Sequence, residues 1–72
     1  MPLLPHLSGR TLIKALEKFG YRVVRQRGSH MRLACPGKKS VTVPNYPSVS
    51  KGLLQKILRD AEISPEEFIK LL

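Results

Sequence analysis

Seventy-two residues leave room for one domain, taken here as 1–72, and a chain this short buries only about 60% of the surface that its unfolded form exposes. A composition of 42% hydrophobic and 25% charged residues argues against disorder, and no apolar run approaches the roughly 18 residues of a membrane span. The single cysteine, Cys35, excludes an internal disulfide, and with only His6 and His30 beside it no metal-ligand spacing and no cofactor motif appears.

In chain order, Ser8 can cap a helix whose apolar positions Leu12, Ile13, Leu16 and Phe19 fall at helical spacing, and Gly20 is placed to end it in the left-handed conformation. The opening stretch, MPLLPHLSGR, has no basic start followed by an apolar segment, so no leader is expected and a cytoplasmic location is. Three short strands follow: YRVVRQR is rich in β-branched and aromatic residues, MRLAC alternates, and SVTVP alternates until Pro44. Gly28-Ser29 fits a two-residue hairpin loop with glycine first, and Pro36 to Lys39 form a second turn, so the sheet is antiparallel. After the loop PNYPSVS, Ser50 can cap a second helix carrying Leu53, Leu54, Ile57, Leu58 and Ala61 on one face. Ser64-Pro65-Glu66-Glu67 has the capping serine, the proline in the first turn and the glutamate three residues on, and opens a short third helix with Phe68, Leu71 and Leu72 on its apolar side.

Charge is the strongest signal: 13 Lys and Arg against 5 Asp and Glu, a net of +8. It is uneven, because residues 10–59 hold twelve of the basic side chains against Glu17 alone. Such a stretch calls for a polyanion, and nucleic acid is the default, since each neutralised phosphate releases condensed counterions.

The hairpin loop determines what this charge surrounds. With Gly28 and Ser29 as the loop, Arg27 lies opposite His30, Arg25 opposite Arg32 and Val23 opposite Ala34. Side chains alternate between faces, so Arg25, Arg27, His30 and Arg32 share one face, while Val24, Met31, Leu33 and Cys35 point to the other, joined by Val41 and Val43. A bulge or a one-residue slip would change the assignment. Three arginines around a histidine repel one another unless an anion is usually present. RNA supplies both the anion and a proton to take: a neutral imidazole can deprotonate a 2′-hydroxyl, and arginines can hold the phosphodiester and stabilise the charge that develops. His30 itself, a water or Tyr46 are candidates for protonating the leaving 5′-oxygen.

On the residues alone, a histidine in a basic strand is more often a phosphate contact than a catalyst, which ranks binding ahead of catalysis. Tyr21 and Tyr46 can stack on a base, although packing is the commoner role for each. Cys35, Met31 and Phe19 read as core, His6 as an incidental surface residue, and Lys38 and Lys39 as turn residues within reach of backbone phosphate. The spelling Gly28-Ser29-His30-Met31 also matches the scar of an affinity tag, a reading opposed by the capped amphipathic helix that precedes it.

The run LSGRTLIKALEKFGYRVVRQRGSHMRL followed by VTVPNYPSVSKGLLQKILRDAEISPEEFIKLL resembles the HicA toxin family of prokaryotic toxin-antitoxin systems, from about Leu7 to Leu72. The resemblance rests on the Gly-Tyr opening of the first strand, Gly28-Ser29-His30, Val43-Pro44, the Gly-Leu-x-x-x-Ile-Leu pattern from Gly52 to Leu58, and the Ile-Ser-x-x-Glu-Phe ending. It implies an α+β fold like a double-stranded-RNA-binding domain, with a helix, three antiparallel strands, a helix and a short extra helix. It also implies an mRNA interferase, a metal-independent endoribonuclease whose essential histidine is here His30, covered by a HicB-type antitoxin. Arg25, Arg27, Ser29, Arg32, Lys38 and Lys39 are then the expected RNA contacts. Many members of the family carry a second histidine shortly after Val-Pro; here Asn45 and Tyr46 stand in that place. The rival readings are a non-catalytic RNA-binding module and an interaction protein whose basic face serves an acidic partner.

Overall fold

The computed structural model describes residues 4–72; Met1 to Leu3, on which part of the leader expectation falls, lie outside the described residues. The elements are α1 (Gly9–Lys18), β1 (Arg22–Arg27), β2 (His30–Ala34), β3 (Val41–Pro44), α2 (Lys51–Asp60) and α3 (Pro65–Lys70). The strands form an antiparallel sheet in the order β1-β2-β3, which leaves β2 in the centre. This is the α+β order that the sequence predicts.

The helix boundaries follow from local chemistry. The Ser8 hydroxyl accepts from the Thr11 amide at 3.1 Å, the Ser50 hydroxyl from the Leu53 amide at 3.2 Å and the Ser64 hydroxyl from the Glu67 amide at 3.1 Å, each satisfying an amide that the first helical turn leaves without a partner. At Ser64 the Glu67 carboxylate also reaches back to the Ser64 amide, completing a capping box beside Pro65. α1 ends in a Schellman motif: Gly20 stands at φ +101°, its amide donates to the Glu17 carbonyl at 3.1 Å, and the Tyr21 amide donates to the Leu16 carbonyl at 3.2 Å. α2 closes with the same pair of bonds, Glu62 to Arg59 at 3.1 Å and Ile63 to Leu58 at 2.9 Å, but the residue at φ +58° is Glu62.

α1 and α2 pack on one face of the sheet. Leu12 and Leu16 of α1, Leu33 of β2, Val43 of β3, Leu54 and Leu58 of α2 and Phe68 of α3 are buried to 2% exposure or less. Moving each from water into this core contributes about 1.5–3 kcal/mol. Tyr21 belongs there too, at 1% exposure, with its hydroxyl donating to the Lys39 carbonyl at 2.9 Å. Burial pushes its phenol above the ordinary value of 10.0, and the nearby Cys35, Glu62 and Asp60 add to the rise. Tyr21 is therefore a packing residue and unavailable for base stacking.

One register prediction is corrected. Arg27 pairs with His30 and Arg25 with Arg32, but Val23 pairs with Leu33 and Arg22 with Ala34, because β1 carries an extra residue between Val23 and Arg25. The extra residue is Val24. Left without a partner by the bulge, it is 61% exposed instead of facing the core. Met31 and Cys35 pack against the core from partly buried positions, while Leu33, Val41 and Val43 are buried as predicted.

Candidate functional site

The face of the sheet away from the helices carries the basic cluster. Gly28 at φ +57°, followed by Ser29 outside the left-handed region, gives the glycine-first hairpin turn that matches strand twist, and this turn sets the parity of both strands. Arg27 faces His30 across the hairpin and Arg25 faces Arg32, and on the other side of β2 His30 faces Pro44 and Arg32 faces Thr42. Arg25, Arg27, His30, Arg32 and Thr42 line a shallow recess of about 190 Å³, and all five are exposed. The Arg32 guanidinium donates to the Thr42 hydroxyl at 3.1 Å, which fixes its direction within the recess. Among the described residues no carboxylate lines the recess. Among the described residues the ion pair is Lys56 with Asp60, 3.0 Å apart on α2. The Lys56 hydrogen bond holds the Asp60 carboxyl below its ordinary range.

A second hollow, an open groove of about 450 Å³, continues from His30 and Arg32 past the free edge of β3 to α2. Thr42, Pro44 and Tyr46 form one wall, with Leu53, Lys56, Ile57 and Asp60 opposite. The Tyr46 ring stands edge-on to the His30 ring, centroids 6.1 Å apart and planes at 72°. Main-chain bonds hold the loop that carries it. The Asn45 amide donates to the Ser29 carbonyl at 2.6 Å, and the Gly9 amide donates to the Tyr46 carbonyl at 2.8 Å. Gly9 is required for the second bond, because a Cβ there would lie 2.1 Å from the Pro44 carbonyl oxygen and 2.7 Å from the Asn45 Cα.

The remaining predicted contacts divide. Ser29 sits in the hairpin turn with an exposed side chain, next to the cluster. Lys38 and Lys39 stand between β2 and β3, at the opposite end of the sheet from His30. The Lys38 ammonium donates to the Ala61 carbonyl at 3.0 Å, capping the C-terminal end of α2, so this lysine is engaged in the fold. His6 is exposed ahead of α1. Sequence reasoning left out two residues that bear on this face of the molecule. The β1 bulge rotates Arg22 onto the face of Ala34, Arg32 and His30, which extends the basic surface along β1. Gly9 seats the Tyr46 loop. The first would have needed the bulge to be foreseen, and the second has no signal in the sequence beyond a glycine after a capping serine.

The family model for the HicA toxin of bacterial toxin-antitoxin systems matches residues 9–63, from the first residue of α1 to the residue after the left-handed Glu62. The chain belongs to the HicA toxin family. α3 lies beyond the matched stretch. No curated protein matches the chain. As a HicA-family toxin it is one half of a toxin-antitoxin pair, and its partner is an antitoxin. Among the described residues no helix is long and apolar enough to cross a membrane, and no three His, Cys, Asp or Glu side chains stand together as metal ligands.

Proposed function

We propose that this HicA-family toxin is an mRNA interferase that cleaves RNA through its own 2′-hydroxyl, with His30 as the base. The supporting observation is the recess itself: an exposed imidazole on the same face as three guanidinium groups, with no carboxylate among the described residues that line it. An RNA phosphodiester supplies the negative charge that this arrangement lacks. Arg25, Arg27 and Arg32 hold the phosphate oxygens, and their positive charge opposes the negative charge that grows on the phosphorane. His30 takes the proton of the adjacent 2′-hydroxyl, whose oxygen attacks phosphorus. The bond to the 5′-oxygen breaks, that oxygen receives a proton from the imidazolium or from water, and a 2′,3′-cyclic phosphate is left. A HicB-type antitoxin would silence the toxin by covering this face.

The test is purified chain, free of antitoxin, on single-stranded RNA. His30→Ala should lower the cleavage rate by about 10²- to 10⁴-fold, the usual contribution of one general acid-base group, with RNA affinity retained. Equal cleavage by parent and variant, or none by the parent, would leave a toxin that binds RNA without cutting it.

A further inference from the structure

We propose that the groove between the β3 edge and α2 is a nucleobase subsite in which Tyr46 is the stacking platform, seating one base beside the phosphate held at His30. The inference rests on the RNA-directed reading of the recess and adds the part of the substrate that the arginines do not address.

The two hollows meet at His30 and Arg32 and differ in chemistry. The recess is lined by Arg25, Arg27, His30, Arg32 and Thr42, and suits phosphate. Away from His30 and Arg32, the groove is walled by the exposed Tyr46 ring and the half-buried Leu53, backed by the buried Val41, Pro44 and Ile57, an apolar lining suited to the flat face of a base. Its volume of about 450 Å³ falls within the range of small-molecule sites. Lys56 and Asp60 in the α2 wall are paired with each other at 3.0 Å, so this wall offers a phosphate no net positive charge, in contrast to the three guanidinium groups of the recess. A nucleotide entering the site is thereby oriented, with phosphate toward the guanidinium groups and base toward Tyr46.

Tyr46 is prepared for this role. Its side chain is 46% exposed although its backbone is anchored on both sides, at Ser29 through Asn45 and at Gly9 through its own carbonyl. Pro44 and Pro47 flank the loop and restrict it further. The edge-on contact with His30 leaves a face of the phenol ring directed away from the imidazole. An exposed aromatic ring on a fixed backbone loses little conformational freedom when a base stacks on it. Sequence preference in cleavage would then arise in this groove, through how well each base fills it, because contacts to phosphate carry no sequence information.

The experiment measures affinity of the full chain for a short single-stranded RNA by fluorescence anisotropy, in a His30→Ala background so that the probe survives. Tyr46→Ala should weaken binding about 5- to 150-fold, the range that one base-aromatic stack supplies, while Tyr46→Phe stays within about twofold. An abasic probe should lose affinity for the Tyr46-containing protein, and much less for Tyr46→Ala, since the two changes remove the same contact. Unchanged binding by Tyr46→Ala, an equal loss in Tyr46→Phe, or additive losses with the abasic probe would overturn the subsite. So would a loss of affinity for the antitoxin alone. Affinity is read without cleavage, so a parent that fails to cut RNA would remove the enzymatic reading and leave this measurement standing.

Discussion

The two ends of the sheet use their cations in opposite ways. At the hairpin end, Arg25, Arg27 and Arg32 crowd around His30, with a threonine hydroxyl bound to Arg32 as the internal hydrogen bond of the group. At the other end, Lys38 is spent on the Ala61 carbonyl, and the Lys39 carbonyl receives the buried Tyr21 hydroxyl. Both ends are basic in sequence. At one end the Lys38 ammonium is occupied in holding α2, and at the other the three guanidinium groups are left open to an external anion. Net charge therefore identifies the class of partner, and the hydrogen bonds identify which cations are available to meet it.

The hairpin end is open in its side chains but rigid in its backbone, and Gly9→Ala tests that rigidity with the largest effect expected. The added methyl has no room against the Pro44 carbonyl, so either α1 or the Tyr46 loop must move. Overpacking of this kind costs about 1–3 kcal/mol. The urea midpoint should fall at constant slope, and RNA affinity should fall with it because Tyr46 is displaced from His30. A variant as stable as the parent, with full affinity, would mean that the loop yields freely and that the contrast between rigid backbone and open side chains is mistaken.

The contrast between the cations themselves is sharpened by one substitution at each end. Arg27→Ala, in the His30→Ala background, should reduce the salt dependence of RNA binding by about 0.7 in slope, the value of one phosphate contact on a single strand, with stability changed by less than about 0.5 kcal/mol. Lys38→Met should do the reverse. It forfeits the hydrogen bond to Ala61 and destabilises by about 1 kcal/mol, while the salt slope remains that of the parent. If Lys38→Met lowers the slope as Arg27→Ala does, the lysine end also meets RNA and the division between the two ends fails.

What the sequence revealed of this division depended on distance along the chain. The three N-caps, the capping box at Ser64, the Gly20 terminator and the Gly28 turn were legible because each is made by residues within a few positions of one another. The hairpin turn also carried the basic face, since two residues of loop set the parity of Arg25, Arg27, His30 and Arg32 together. Parity failed one step further along β1. Val23 and Val24 are alike in shape and polarity, so nothing in the pair marks which one the bulge expels, and Arg22 changed face with it. The Lys38 bond to Ala61 was not legible because its acceptor lies 23 residues away, a pairing that only the packed helix creates. The Gly9 contact with Pro44 and the edge-on placement of Tyr46 against His30 are likewise tertiary, so the groove could not be foreseen from the strand pattern.

The smallest expected effect concerns the lysine end, where Glu62 is out of place. It occupies at α2 the position that Gly20 occupies at α1, with the same two main-chain bonds around it, but at φ +58° its Cβ crowds the backbone. The left-handed conformation costs an L-residue about 1–2 kcal/mol. Glycine removes that strain and loses roughly 0.5–1 kcal/mol in greater freedom of the unfolded chain. Glu62→Gly should therefore stabilise by about 0.5–1 kcal/mol, read as a higher urea midpoint at constant slope. Removing a carboxylate near a helix C-terminus is also favourable, so Glu62→Ala is the control: it deletes the charge and keeps the strained Cβ. A gain in the glycine variant alone assigns the cost to backbone geometry at the end that Lys38 holds. Equal gains in both would assign it to charge, and the lysine end would then be governed by the same electrostatics as the arginine end.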